Sequence, residues 1–393
     1  MTQQAPLELL GGLSPQQFMR RHWQRQPLLI RQAIPGIKPG LSIAALRKLA
    51  RQDEVESRLI WRENDQWQME AGPFARLPKA AERDWTLLVQ ALEQHDDWAA
   101  ALMQRFRFIP DARLDDIMVS VAGDGGGVGP HFDSYDVFLL QASGKRRWRI
   151  SQQADLSLQP DLPLKILRDF QPEAEYLLEA GDMLYLPPHV AHDGVAEGGD
   201  CMTISIGFRS PDRATLARGM LEAAAEQLAA RSGMPTGPYG DPPLPGPDLS
   251  ARYRDPAQPA TTTPAEIPER LMAAALSAVQ AVRWDDALAT RFLGCWLTEP
   301  NTSAVFPDGI DLDPDDWPTS GRLLLDRRSR MLYRGKQLFI NGECAPVPAN
   351  AALRQLADAR MLALDGAAAR RLDPATRDCL AEWLDAGWIR LQS

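Results

Sequence analysis

Histidine and cysteine are scarce in this chain, with five and four in 393 residues. The cysteines, Cys201, Cys295, Cys344 and Cys379, lie far apart and form no C-x-x-C pair, which argues against a thiolate zinc site or a disulfide framework. Long apolar runs are missing too. None approaches the roughly 20 residues that span a bilayer, and the opening MTQQAPLELLGGLS lacks the basic-then-apolar layout of a secretory signal. A cytoplasmic protein without membrane association is expected. Excess positive charge is also absent. The net charge of -9 opposes broad binding to nucleic acid, whose affinity rests on neutralising phosphates, so no direct nucleic-acid contact is expected. An acidic surface suits a basic partner instead.

What is present is ordinary globular material, 45% hydrophobic and 24% charged, in a length that suggests two or three domains. A capped helix is expected from Ser14, running into a short strand after Pro27, and a hairpin on either side of Asn64 and Asp65. A second helix is expected across TLLVQALEQHDDWAAALMQRF. From Asp116 to Arg209 short β-rich runs follow one another, separated by Gly, Pro and Asp, as in a small barrel or sandwich. A helix from about Pro211 to Arg231 precedes the Pro- and Gly-rich stretch SGMPTGPYGDPPLPGPDLS, a linker or exposed loop at about 233–264. Two further helices follow, PAEIPERLMAAALSAVQAV and DDALATRFLGCWL, with an Ala- and Leu-rich face that needs a partner. The last stretch alternates strands and helices in the manner of a winged helix.

The strongest local signal is GPHFDSYDVFLLQASGKRRWRI. His131 and Asp133 are two apart, so in extended backbone both side chains point to one side and can reach one cation. Two His and one carboxylate leave three positions free on an octahedral metal, so a third ligand is required. His22 and His95 lie among polar neighbours on helical segments. His189 and His192 both fall in GDMLYLPPHVAHDG, about sixty residues after His131, and either can serve as the distal ligand.

An H-x-D pair, then a Gly-Asp strand, then Pro-Pro and a His resembles the two motifs of the JmjC and cupin oxygenases. That resemblance implies His192 as the ligand, because there the ligating His is followed by an acidic residue and Gly, here Asp193 and Gly194. His189 is then a neighbour. It also implies Fe(II), 2-oxoglutarate as cosubstrate and O2, with oxidation of the cosubstrate to succinate coupled to hydroxylation of an unactivated carbon.

Such a site needs a cation for the distal carboxylate of 2-oxoglutarate. Alternation along KRRWRI puts Arg146 on the apolar side with Trp148 and Ile150, while Lys145, Arg147 and Arg149 share the other. Arg146 is therefore expected to point inward, where a guanidinium grips a carboxylate through two N–H groups. Relatives carry their cosubstrate-binding Lys or Arg at the same spacing. Thr203 and Ser205 form a small polar face on the last strand and are expected to hydrogen-bond the cosubstrate. The glycines of DGGGVGPHFD leave room for a bulky substrate. Asp124 at the mouth of that loop, with Tyr135 and Asp136 after the ligands, is expected to contact a cationic substrate side chain.

FMRRHWQRQPLLI, FIPDARLDDIMVS and PHFDSYDVFLLQASGKRRWRI together resemble the ribosomal oxygenases over essentially the whole chain. The implied fold is α+β: a JmjC-type double-stranded β-helix, or cupin barrel, with N-terminal helices at 1–210, a helical dimerisation module at 211–299 and a winged-helix-like domain at 300–393. The implied activity is hydroxylation of a ribosomal protein side chain, an arginine of the sixteenth large-subunit ribosomal protein in the bacterial branch, by a homodimer. Histidine hydroxylation or demethylation of another basic protein, and a non-catalytic metal-binding cupin, are the alternatives. An acidic loop, PDGIDLDPDDWP with Asp308, Asp311, Asp313, Asp315 and Asp316, weighs against phosphate contact by the C-terminal domain.

Overall fold

The computed structural model describes residues 4–64, 66–313 and 317–392. Asp65 of the expected hairpin, and Asp315 and Asp316 of the acidic loop, lie outside the described residues. The chain divides into two compact units, one formed mainly by residues 1–210 and the other mainly by residues 211–393.

The first unit is built on nine strands, β1 (Leu28–Ile30), β2 (Ser57–Glu63), β3 (Gln66–Ala71), β4 (Trp85–Val89), β5 (Leu114–Ala122), β6 (Val137–Ser151), β7 (Ala174–Glu179), β8 (Met183–Leu186) and β9 (Ala191–Phe208). They hydrogen-bond in the order β1-β8-β6-β9-β5-β4-β2-β3, with β7 also on β6. Every pairing is antiparallel. The fold is the mixed α+β architecture with an antiparallel barrel that the sequence suggests.

Runs that read as separate short strands are joined. DVFLLQA and RRWRI are one strand, β6, whose register against β9 shifts between Gln141 and Lys145. Gly144, at φ +63°, lies in that irregularity, and a Cβ there would sit 2.9 Å from the Asp200 carbonyl oxygen, so glycine is required. Alternation still sorts the two sides. Phe138, Leu140, Met183, Tyr185, Ile204, Ile206 and Phe208 share a core with Phe18, Leu46, Leu102 and Phe106, which belong to helices α1 (Pro15–Arg21), α2 (Ile43–Leu49) and α3 (Asp97–Gln104) and the turn after α3. Val137, Leu139, Trp148, Ile150, Leu178, Leu184 and Leu186 form a second cluster inside the barrel.

Helix α1 starts as expected, with Ser14 and Gln17 completing a reciprocal capping box and Pro15 in the first turn. The expected helix over residues 86–106 is corrected. Its first part lies in a buried strand, Trp85–Val89, held between β2 and β5; Leu92–Gln94 is a single 3-10 turn, and only Asp97–Gln104 is α-helical, capped by Asp96. A short, continuous apolar run has no periodicity of its own, so pairing partners on both edges decide its state.

The second unit contains helices α4 (Arg213–Arg231), α5 (Glu269–Ala281) and α6 (Asp286–Thr298). Ala223 and Ala224 of α4 pack against Leu288 and Phe292 of α6. Beyond them β10 (Arg322–Leu325), β14 (Met361–Ala363) and β15 (Ile389–Gln392) form one small sheet, and β11 (Met331–Arg334), β12 (Gln337–Ile340) and β13 (Glu343–Cys344) another. With α7 (Ala351–Ala359) and α8 (Pro374–Asp385) they enclose a core that includes Leu323, Leu353, Leu356, Leu380 and Trp383. No helix among the described residues is long and apolar enough to cross a membrane.

Candidate metal centre

The segment carrying His131 and Asp133 is extended but is not a regular strand; a single antiparallel bridge ties it to the start of β9. The His131 amide donates to the His192 carbonyl (2.9 Å) and the His192 amide to the His131 carbonyl (2.7 Å). The two backbones are thereby locked face to face, and the imidazole centroids lie 4.2 Å apart. Each ring is also fixed through Nδ1, against the Gly129 carbonyl for His131 (2.8 Å) and the Val190 carbonyl for His192 (3.0 Å). Assigning the proton to Nδ1 in both cases leaves both Nε2 lone pairs free, the tautomer that a metal-binding histidine needs. Asp133 Oδ2 lies 3.7 Å from His192 Nε2, and ligand atoms of His131, Asp133 and His192 all fall within 4.8 Å of one another. The donor set of two imidazoles and one carboxylate fits a divalent iron.

Electrostatics favour the same use. Burial, helped by neighbouring His131, pushes the His192 pKa down to about 4, so its imidazole is neutral and ready to ligate near neutral pH. His189 sits in a left-handed turn conformation at φ +66°, is exposed, and packs by its ring against Phe132. It is absent from the cluster that can hold a metal. Its amide does donate to the Asp133 carbonyl (2.8 Å), pinning the ligand segment.

The residues after His192 have physical reasons to be there. Asp193 is buried and ion-paired with Arg149 on the outer side of β6. Gly194 faces inward under Trp148, where a Cβ would stand 2.5 Å from the indole. Gly129, at φ +78°, likewise leaves room for Trp67 and Ile166, which close over the ligand segment.

Arg146 lies inside the barrel, 3% exposed, with Nη1 donating to the Gly194 carbonyl (3.1 Å). Its Nε and Nη2 are buried without a protein acceptor, a cost that an anion would relieve. Ser205 is on the same inner face of β9, paired with Leu139, two pairs away from Thr203 and Gln141. The Thr203 hydroxyl already donates to Gln141 Oε1 (2.9 Å).

The three expected substrate contacts fare differently. Asp136 is fully buried: it accepts from the Tyr185 hydroxyl (2.6 Å) and Gln24 Nε2 (3.0 Å), and Arg113 lies 3.5 Å away. Burial raises its pKa, and it faces the N-terminal helix side, so it is corrected to a structural carboxylate. Asp124 accepts from the Gly198 amide (2.8 Å) and is paired with Arg83. The Gly198 amide holds its pKa below the usual range, and the two contacts fasten the Gly-rich loop. Tyr135 is 40% exposed and hydrogen-bonds the ligand Asp133; burial of its hydroxyl and nearby Asp133, Asp116 and Asp115 all raise its pKa. Asp116 is a neighbour that sequence reasoning did not single out, with its Oδ2 accepting from the Ala91 amide (3.3 Å). Its Oδ1 and the Tyr135 ring flank Gly207, 3.3 and 4.0 Å from where a Cβ would be. The signal was available, since Asp115 and Asp116 stand as a pair at the head of β5.

An antiparallel barrel with a His-x-Asp segment bridged to a distal His defines a JmjC-type oxygenase domain. Residues 101–216 match the JmjC domain model, and residues 281–390 match the ROXA-like winged helix. The uL16 3-hydroxylase of Escherichia coli is 39% identical over 206 residues, 52% of this chain and 55% of that protein. The chain spans about half the length of the curated relatives it matches. The crystal structure of Escherichia coli YcfD superposes with a TM-score of 0.80 at 29% identity, covering 95% of this chain and 97% of that one. A structure of the same ribosomal oxygenase with cobalt and 2-oxoglutarate gives a TM-score of 0.75 at 29% identity, covering 96% and 97%. The chain thus carries a JmjC domain and a ROXA-like winged helix, and in both it is similar to the ribosomal oxygenases.

Proposed function

We propose that this chain is an Fe(II)- and 2-oxoglutarate-dependent hydroxylase of a ribosomal protein side chain, with an arginine of the sixteenth large-subunit protein as the target. The observation that carries the reading is the pairing of two features. His131, Asp133 and His192 present free ligand atoms to one point, and Arg146 presents two orphaned donors to the same barrel interior. A metal with three protein ligands and a separate carboxylate grip is what a chelating dicarboxylate cosubstrate requires. Bound iron would supply the oxidation of the cosubstrate by O2 that is coupled to hydroxylation. The protein would hold the ligand tautomers, orient Asp133 through Tyr135 and keep the cosubstrate's far carboxylate in a dry pocket. Ser205 is the better placed of the two inner hydroxyls to assist, because Thr203 is engaged with Gln141.

A guanidinium substrate is supported by Asp116 beside Tyr135 and Asp133, a negative mouth next to the metal position. The similarity to a uL16 3-hydroxylase supports a large-subunit ribosomal protein as the target. A ribosomal substrate also implies a cytoplasmic location. The test is mass spectrometry of digested ribosomal proteins from cells lacking the enzyme, before and after treatment with purified chain, iron and 2-oxoglutarate. One arginine-bearing peptide should gain a single oxygen atom. His192→Ala should abolish the gain and His189→Ala should keep it; a gain on histidine, or loss of a methyl group, would replace the arginine reading.

We also propose a homodimer seated on the helical segment of the second unit. Helix α5 buries none of its residues, and Leu271, Met272, Leu276 and Val279 are all exposed on it.

A further inference from the structure

Arg146 is not the only donor left without an acceptor inside the barrel. Two residues along β6, on the same side, Trp148 is 5% exposed and its indole Nε1 is buried with no hydrogen-bond partner. An indole N–H can only donate, and leaving one buried and unsatisfied costs about 1–3 kcal/mol. Such a cost asks for an explanation, and the surroundings give one. The Arg146 guanidinium and the His192 ring each lie 5.7 Å from the indole. Trp148 thus neighbours both the cation expected to take a carboxylate and a candidate metal ligand. Its benzo edge is seated on Gly194, where any Cβ would collide with it. The register repeats the order, with Arg146 opposite Ala196, Trp148 opposite Gly194 and Ile150 opposite His192.

Three buried orphaned donor atoms, Arg146 Nε, Arg146 Nη2 and Trp148 Nε1, therefore sit on one side of one strand. Two of them form the fork that meets a carboxylate edge, and an ionised carboxylate has acceptor sites to spare for a third. We propose that Trp148 donates its indole N–H to the distal carboxylate of the dicarboxylate cosubstrate, completing the grip begun by Arg146. The proposal rests on the reading of the site given above. It makes Trp148 a cosubstrate-specificity residue, since three donors and no acceptor favour a carboxylate over a carboxamide at that end.

The experiment separates the distal carboxylate from the metal. The full-length chain loaded with Mn(II) under nitrogen is titrated calorimetrically with 2-oxoglutarate and with oxalate, which chelates a metal but has no distal carboxylate. Trp148→Phe removes the N–H and keeps an aromatic ring. A lost hydrogen bond to a charged group corresponds to roughly a ten-fold weaker complex or more. The expected result is that loss for 2-oxoglutarate, with oxalate and Mn(II) affinities unchanged. Equal loss for both ligands would mean that the ring only packs against His192, and no loss for either would mean that the N–H has no role; both outcomes overturn the proposal. Wild-type chain that binds oxalate but not 2-oxoglutarate, or neither, would instead overturn the reading of the site itself and the proposal with it. A second measurement needs no variant. With Zn(II) in place of Mn(II) and the indole nitrogens labelled with 15N, one of the eleven tryptophan N–H signals should move on adding 2-oxoglutarate and stay put with oxalate. The absence of any such signal contradicts the assignment.

Discussion

His189 and His192 stand three positions apart, the first in the turn and the second at the start of β9, and their surroundings separate them. The first is exposed and turned outward at φ +66°, whereas the second is buried with its Nδ1 spent on the Val190 carbonyl. Spacing alone left both open, because the turn geometry after Pro188 decides which ring faces Asp133. Arginine parity, by contrast, was legible in KRRWRI. Arg146 points into the barrel, while Arg147 lies on the outer side between Glu175 and Glu197. Arg146→Ala should therefore raise the 2-oxoglutarate concentration required for half-maximal turnover by roughly ten- to a hundred-fold, as loss of a charge-assisted carboxylate grip implies. Arg147→Ala removes exposed ion pairs worth about 0–1 kcal/mol and should leave that concentration alone. Steady-state titration of both variants checks this, and equal effects would contradict the inward placement. Asp136 shows the limit of such reasoning. Its neighbours in sequence are site residues, yet one further step along the chain turns its carboxylate to the opposite side of the sheet, where Tyr185 and Gln24 claim it.

At the level of elements, strands announced by alternation were legible, and the capped helix at Ser14 was legible from its Ser-Pro-x-Gln start. Strand β4 was not, since TLLV carries no period and only its neighbours make it a strand. The Gly-Asp turn before β8 illustrates how an element is held. Asp182 is 3% exposed and accepts from Arg31 Nη1 (2.6 Å) and the Gln32 amide (3.0 Å), tying the end of β1 to the turn that leads into β8 and then to the distal His. Burial alone would raise the Asp182 pKa, but the Gln32 amide, Arg31 and the Glu179 amide outweigh it, and the net shift is downward. A carboxyl whose folded pKa is depressed contributes stability above its unfolded pKa, near 3.9, and loses it as pH falls through the folded value. Wild-type chain should thus lose stability on acidification below about pH 4 in part through Asp182. Asp182→Asn should cost about 2 kcal/mol at neutral pH and show a shallower acid dependence. Urea midpoints at neutral pH and at several acid values, for both proteins, provide the comparison; parallel curves would remove Asp182 from the acid response.

For the molecule as a whole, the element that calls for a partner is α5. A 13-residue helix that buries nothing is marginal on its own, because isolated helices this short gain too little from propensity to hold together in water. Yet it carries Leu271, Leu276 and Val279 at 42%, 60% and 61% exposure, with Ile267 just before it at 66% and Leu221 of α4 at 59%. Four of these five apolar groups lie on α5 or just before it, more than scattered surface residues, and burying them is worth about 25 cal/mol per Å2. A second copy of the chain offers the same apolar surface, so a two-fold arrangement would cover both at once, and its several alanines allow close helix approach. The sequence already pointed here through the apolar faces of LARGMLEAAAEQLAA and IPERLMAAALSAVQAV, although not to the orientation of either helix. Light scattering at micromolar concentration should give twice the mass of a single chain. Leu271→Asp together with Leu276→Asp places charge on the shared surface and should return the mass to that of one chain. Metal binding should be unchanged, because these residues belong to the second unit and His131, Asp133 and His192 to the first. A dimer indifferent to both charges would move the interface off α5, and a single-chain mass for the wild type would mean that α5 is left uncovered or covered by another protein.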